Sequence, residues 1–349
     1  MKQFVYLIIT AALLIPGKIE AQKLGVLPDI ETPASIHVDS SNIYVTEQSK
    51  IYIYSMNDLS LVRKFGKAGD GHSEFRIESG RNISIDVSTD NILVSSDGTL
   101  SFYSKKGDFI NEVEIHPQAD ITVPFKDRLV SAAYYIRVGT GKSEEYISIH
   151  VNGLKDITRI REIYRSSLGQ GSAIGFGDDG DLDIRLFPDI LKFQARDDKI
   201  FIGDAKKGLY FIVYDYEGKV LYEINKDYEN KRITEEMKTA KIEKFKKRKI
   251  WQRHREMIEF EIPEYLPAFS NFFISEGKMF VYLYSSDNIN REILVLDQKG
   301  DEIGTISVPL SDHSTVANNR YYYLKKNVYE EWEIYVEDLF KDQGGDHDE

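Results

Sequence analysis

Short stretches of alternating apolar and polar residues, separated by turn residues, recur along nearly the whole chain and predict strands rather than helices. One pattern returns six times: a short alternating strand, a turn, a more apolar strand, a turn, and a third alternating strand. The middle member is the clearest, in Asn42-Ile-Tyr-Val-Thr, Asn91-Ile-Leu-Val-Ser, Arg128-Leu-Val-Ser-Ala, Lys199-Ile-Phe-Ile-Gly, Lys278-Met-Phe-Val-Tyr and Arg320-Tyr-Tyr-Tyr-Leu. Each begins on a polar turn residue and continues with β-branched or aromatic side chains, which suit a pleated sheet. A strand precedes each one, although Ser314-Thr-Val-Ala is a poor sixth member.

A fourth strand follows in five cases: Leu59-Ser-Leu-Val, Phe109-Ile-Asn-Glu-Val, Ile157-Thr-Arg-Ile, Lys219-Val-Leu-Tyr and Glu302-Ile-Gly-Thr-Ile. The Asp215-Tyr-Glu-Gly and Asp297-Gln-Lys-Gly turns before two of them are hairpin chemistry. After the sixth third strand the chain runs into a charged tail, so the sixth unit lacks a fourth strand. Residues Lys23 to Leu27 precede the first unit and are free to supply it. Repeated four-stranded units of this length are the mark of a propeller. The expectation is an all-β, six-bladed β-propeller closed by the N-terminal strand in the last blade, over residues 22–340.

The middle strands start at 42, 91, 128, 199, 278 and 320, and two of the gaps are too long for one blade. The first hides an insertion from about Ser166 to Asp183, rich in glycine and ending in Asp178-Asp-Gly-Asp-Leu-Asp183. Asp178, Asp179, Asp181 and Asp183 are candidate calcium ligands, because hard carboxylate oxygens suit that ion. No glutamate stands at the twelfth position of an EF-hand loop, and a flexible solvated loop is the plainer expectation. The second insertion, Thr234 to about Met257, is the one convincing helix. Thr234 can cap it, Glu235 and Glu236 stand in its first turn, and nine lysines and arginines make it basic. Its apolar residues Ile242, Phe245, Ile250, Trp251, Met257 and Ile258 form no single stripe. A solvated helix offsetting an acidic body is expected, with an anionic partner as the alternative.

Composition changes the picture at the N-terminus. Lys2, an apolar run from Phe4 to Ile15, a Pro16-Gly17 break and Ala21 have the layout of a secretory signal peptide, with cleavage expected after Ala21. About twelve apolar residues are too few to span a bilayer. There is no cysteine, hence no lipid-anchored cysteine and no disulfide. A periplasmic or secreted protein follows, with no transmembrane segment. The full chain carries a net charge of −12, which argues against nucleic acid as a partner. Residues 341–349 read as an acidic disordered tail.

Successive strands of a propeller run up and down, so links between blades and turns between second and third strands emerge on one face. Both insertions and the link from Phe65 to Arg81 therefore belong to the same loop-rich face, where functional loops gather. His72, Arg76 and Arg81 on the first link could hold an anion. Trp251 on the helix, and Tyr265 and Asn271 after it, complete the binding candidates.

Phe65-Gly-Lys-Ala-Gly-Asp-Gly-His-Ser-Glu-Phe75 resembles the F-G-x-x-G-x-G-x-x-x-F linker of NHL-repeat propellers, with Ile83 to Asp86 and Asn91 to Val94 similar to that repeat's strands. Pro263-Glu-Tyr-Leu-Pro-Ala-Phe-Ser-Asn271 is similar to a segment in six-bladed propellers exported by Bacteroidetes. The resemblance implies a fold and a compartment. Sugar lactonases share such a ring and hold a divalent metal in its channel. Asn82, Asp120, Asp189 and Asn271 stand at blade entrances here but do not match that family's motifs. Gly141-Lys-Ser143 lacks the earlier glycine of a phosphate loop, and neither a nucleophile elbow nor a zinc-protease motif occurs. The expected function is a non-catalytic, monomeric binding propeller for a glycan, peptide or protein, with no required cofactor beyond a possible calcium. The alternative is a metal-dependent hydrolase, lactonase or lyase at the channel mouth.

Overall fold

The computed structural model describes residues 21–69, 71, 74–76, 82–88, 90–96, 98–115, 119–125, 128–138, 143–153, 161–167, 175–176, 182–284 and 289–340. The signal-peptide reading and the tail fall outside them. Six four-stranded antiparallel sheets form the ring. Blade 1 is Ser35–Val38, Asn42–Glu47, Lys50–Ser55 and Leu61–Phe65. Blade 2 is Ser84–Val87, Asn91–Ser96, Thr99–Ser104 and Phe109–Glu114. Blade 3 is Ala119–Phe125, Arg128–Val138, Ser143–Gly153 and Arg161–Ser167. Blade 4 is Leu191–Arg196, Lys199–Asp204, Leu209–Asp215 and Val220–Lys226. Blade 5 is Asn271–Ser275, Lys278–Tyr282, Asn290–Asp297 and Glu302–Pro309. Blade 6 takes Ser314–Ala317, Arg320–Lys326 and Trp332–Asp338 from the C-terminal end.

The fourth strand of blade 6 is Gln22–Val26, antiparallel to Trp332–Asp338 with Gln22 opposite Val336 and Val26 opposite Glu333. The expected strand closure is therefore present, one residue earlier than the sequence pattern placed it. Lys23 reaches across to the Glu333 carboxylate, 2.5 Å away. That ion pair, with hydrogen bonds from Tyr335 and Asn327, holds Glu333 at about 2, below the usual carboxylate range.

Middle strands are buried on nearly every residue because each blade packs a neighbour on both faces. Fully sandwiched strands lose the alternation of a half-buried sheet and read as apolar runs. Each of the six blade junctions has its own apolar cluster. The junction of blades 4 and 5 is built on Phe201, Phe211, Phe269, Phe272, Met279 and Val281. Tyrosines bury their rings in these junctions and extend the hydroxyl to polar atoms at the blade ends: Tyr44 to Asp39, Tyr52 to Glu47 and Tyr164 to Asp204, each at 2.8 Å.

The Phe65–Phe75 link is held by its aromatic ends. Phe75 is fully buried, and both Phe65 and Phe75 pack on Tyr103, with ring centroids 4.7 and 6.0 Å away. Gly66 has φ +90°, and a Cβ there would lie 2.4 Å from the Ser49 carbonyl and 2.6 Å from the Phe75 ring. Only glycine fits that turn without displacing the link.

Three sequence expectations need correction. The outer strand of blade 3 is Arg161–Ser167, beyond the Ile157-Thr-Arg-Ile segment, all four residues of which lie outside the described residues. The first insertion is not simply a solvated loop. Gly175–Phe176 pairs with Leu182–Arg185, and the latter runs parallel to Ile258–Glu261 at the end of the second insertion. The two insertions thus form one small sheet outside the ring. The basic segment is two helices, α1 (Glu235–Lys246) and α2 (Lys249–His254), followed by a 3-10 turn at Arg255–Met257. Thr234 caps α1 as expected, accepting from the Met237 N–H at 3.2 Å. This assembly has a core of its own: Ile184, Leu186 and Phe187, directly after the first insertion, meet Met237 and Phe245 of the second and Leu266 beyond it. The helix is therefore one wall of a cap, not a free solvated rod. Its apolar residues point to several partners, which explains the missing stripe.

Candidate functional site

The inner strands of the blades neighbour one another around the axis and line the channel. On the inner strand of blade 4, Lys192, Gln194 and Arg196 alternate with Leu191, Phe193 and Ala195. The apolar set packs toward blade 3 and the polar set faces away from it. Gln194 bonds the backbone of blade 5 in both directions, donating to Phe272 O at 3.0 Å and accepting from Ile274 N at 2.8 Å. Arg196 reaches the inner strand of blade 2, with its guanidinium 2.5 and 3.4 Å from the two Asp86 carboxylate oxygens. Blade 3 lies between blades 2 and 4 in the ring, so this pair bolts the ring across the channel. His37 of blade 1 stands beside it. Burial pushes its imidazole down to about 4, with Asp86 opposing and Arg196 reinforcing the shift. Burial alone lowers the Lys192 ammonium.

The loop-rich face carries an open cleft of about 530 Å³ between blades 4 and 5. Three segments distant in sequence form it: the turn Ala205 to Gly208, residues 226–230 after the outer strand of blade 4, and Pro263 to Ala268 before blade 5. Asp204 caps the turn, accepting from Lys206 N at 3.2 Å. Lys206 then donates to Ser167 O and Oγ, both at 2.8 Å, and Lys207 sits over the Tyr164 and Tyr210 rings. Those two ammonium groups are engaged in fixing the wall. Lys226 has no ion-pair partner among the described residues. The Tyr228 hydroxyl is buried without a hydrogen-bond partner among them. Asp227, Asn230 and the half-exposed Tyr265 ring complete the accessible lining. Asp189 lies deeper, where burial raises its carboxyl above the usual range and Arg185 opposes the shift. Cations, acids, an amide and two phenol rings make a surface suited to hydrogen bonding and stacking rather than to an oily ligand.

The sequence candidates are distributed unevenly over this face. Tyr265 lines the cleft. Asn271 begins the inner strand of blade 5, and its Oδ1 accepts from Phe272 N at 3.0 Å. Trp251 is half-buried in the cap and stacks on Phe260, with centroids 5.8 Å apart. Arg76 is exposed beside buried Phe75. Asp183 lies in the small sheet opposite Glu259. His72, Arg81, Asp178, Asp179 and Asp181 lie outside the described residues. Asn82 accepts from Gln48 N at 3.1 Å. Among the described residues, no group of three or more His, Asp or Glu side chains is placed to hold a metal ion. Sequence reasoning did not single out Lys226, Tyr228 and Asn230, nor the Asp86–Arg196 pair. The polar alternation at 192, 194 and 196, inside a strand that must line a channel, was the available signal for the latter.

The architecture defines a six-bladed β-propeller. No family model matches the chain, and no curated protein matches it in sequence. Among solved structures, it is similar to a member of the DUF4221 family from Bacteroides vulgatus. Identity is 12%, with 91% of this chain and 97% of that one covered, at a TM-score of 0.49. It is also similar to Kluyveromyces lactis Hsv2, at 10% identity over 87% of this chain and 97% of that one, TM-score 0.37. A structure of a eukaryotic initiation factor matches at 9% identity over 88% of each chain, TM-score 0.35. No helix among the described residues is long and apolar enough to cross a membrane.

Proposed function

We propose that the mature chain, released after Ala21, is an exported, monomeric, non-catalytic binding propeller that presents its loop-rich face to a glycan. The observation that carries the reading is the cleft between blades 4 and 5. It places an accessible phenol ring (Tyr265), a buried unpartnered hydroxyl (Tyr228), an ammonium without an ion-pair partner among the described residues (Lys226) and the Asn230 amide around one open groove. Saccharides are held by this combination, rings stacking on aromatic faces while hydroxyls exchange hydrogen bonds with charged and amide groups. The engaged Lys206 and Lys207 keep the wall rigid, which limits the ordering cost of binding.

The test is a binding screen of the purified chain from Gln22 onward against immobilised oligosaccharides and short peptides. Hits are then repeated with Tyr265→Ala and Lys226→Ala. Each substitution is expected to weaken glycan binding by roughly tenfold, equivalent to about 1.4 kcal/mol. Hits confined to peptides, or glycan hits indifferent to both substitutions, would reject this reading.

A further inference from the structure

The cap carries positive charge that the rest of the molecule compensates only in part. Between residues 234 and 257 stand nine cationic and four acidic side chains, in a chain of net charge −12. Part of this charge is neutralised locally. Lys238 pairs with Glu235, Lys246 with Glu243, and Lys244 with Asp312 at the entrance to blade 6. Four others are exposed and have no ion-pair partner among the described residues: Lys247, Arg248, Arg253 and Arg255. They occupy nine consecutive positions spanning the α1–α2 junction, α2 and the following turn. Eight steps at helical rise would extend about 12 Å.

Arg248 stands within electrostatic reach of other cap cations: the Lys241 ammonium is lowered first by burial, then by Lys244 and by Arg248, with Asp312 opposing. The cap core holds the groups together against their mutual repulsion, and an anion laid across them would relieve it. At physiological salt, screening beyond about 8 Å leaves the strip's own charge in command locally, despite the acidic body.

We propose that the strip Lys247, Arg248, Arg253 and Arg255 is a docking site for a carboxylate- or sulfate-bearing polysaccharide. The saccharide class is taken from the reading of the neighbouring cleft; the polyanion requirement stands on the strip itself. Three of the four cations are arginines, whose planar guanidinium matches carboxylate and sulfate oxygens in pairs. A lipid surface fits poorly. A helix lying on a bilayer needs a free apolar face opposite its cations, and here that face is spent. Met237 and Phe245 are buried, Ile242, Ile250 and Trp251 pack into the cap core, and Met257 is the one large apolar residue of 234–257 among the exposed ones. The strip is joined to the cleft wall through Ile258–Glu261 and Pro263, so one chain could cross both.

The test measures binding of the chain from Gln22 onward to polygalacturonate, dextran sulfate, neutral dextran, polyglutamate and anionic phospholipid vesicles, at low and physiological salt. Binding to polygalacturonate or dextran sulfate is expected, weakening as salt rises, with neutral dextran at least tenfold weaker. The variant Arg248→Gln/Arg253→Gln/Arg255→Gln should lose at least tenfold in affinity for the acidic polymers. Its melting temperature should stay that of the parent, since all three side chains are exposed. A single Arg255→Gln variant provides a graded partial loss should the triple variant melt early. The proposal is overturned if neither acidic polysaccharide binds, if the arginine variants bind them unchanged, or if polyglutamate or vesicles bind as tightly. Loss in the arginine variants with no effect of Tyr265→Ala would sink the cleft reading and leave the strip standing.

Discussion

Replacing Glu337 by glutamine should stabilise the protein above neutral pH and leave it almost unchanged near pH 4.5. Glu337 lies on the third strand of blade 6, is 3% exposed, and stands opposite Tyr321 in the blade. Burial raises its carboxyl from 4.5 to about 7, and a hydrogen bond from Tyr323 only partly offsets the shift. The sign follows from proton counting. Between these two values the folded chain keeps a proton that the unfolded chain has released, so stability falls as pH rises through the window. Below it the two states bind equally, and above it the full penalty is present. At about 1.36 kcal/mol per unit, the penalty reaches at most about 3 kcal/mol at pH 8. Glutamine is neutral throughout, has nearly the same shape, and can accept the Tyr323 bond. Urea unfolding followed by tryptophan fluorescence, run on both proteins at several pH values between 4.5 and 8.5, isolates the effect, because every other titration cancels in the difference. A difference that does not change with pH, or a variant less stable at pH 8, refutes the reasoning.

Two further outcomes test the ring. A chain beginning at Gln22 should melt cooperatively, whereas one beginning at Pro28 loses the closing strand, the Lys23–Glu333 pair and buried Leu27. Loss of Leu27 burial alone is worth about 2–3 kcal/mol, and the strand left open invites association. Calorimetry and size-exclusion chromatography read both effects, and identical melting of the two chains would contradict the closure. Across the channel, Arg196→Ala strands a carboxylate that is 15% exposed and should cost about 2 kcal/mol. A double-mutant cycle with Asp86→Ala should return a coupling of roughly 1 kcal/mol or more. Strict additivity would mean that the pair bolts nothing.

Much of the ring was legible because its signals are local. Asn42–Glu47, Asn91–Ser96 and Lys199–Asp204 read as apolar runs because each is packed on both faces, and burial on that scale leaves a mark residue by residue. Closure could be read from arithmetic alone: one blade lacked a strand, and one segment, around Lys23, lacked a blade. Thr234 announced the helix it caps. Tyr265 was reachable as an aromatic residue in an inter-blade link.

What the sequence could not yield is who meets whom across large separations. Leu182–Arg185 and Ile258–Glu261 are four-residue strands too short to be convincing alone, and each becomes a strand by pairing with the other. The cap core draws on Phe187 and Phe245, so the helix shows no stripe to which a single-helix pattern could be fitted. The cleft is assembled from segments beginning at Ala205, Lys226 and Pro263, and its character depends on which lysines are already engaged by Ser167, Tyr164 and Tyr210. Arg196 and Asp86 are 110 residues apart in the chain and meet only because the ring closes around them. Local burial writes itself into alternating residue types. Closure of the ring decides which charges face each other and which are left exposed, and that depends on the packing of every blade at once.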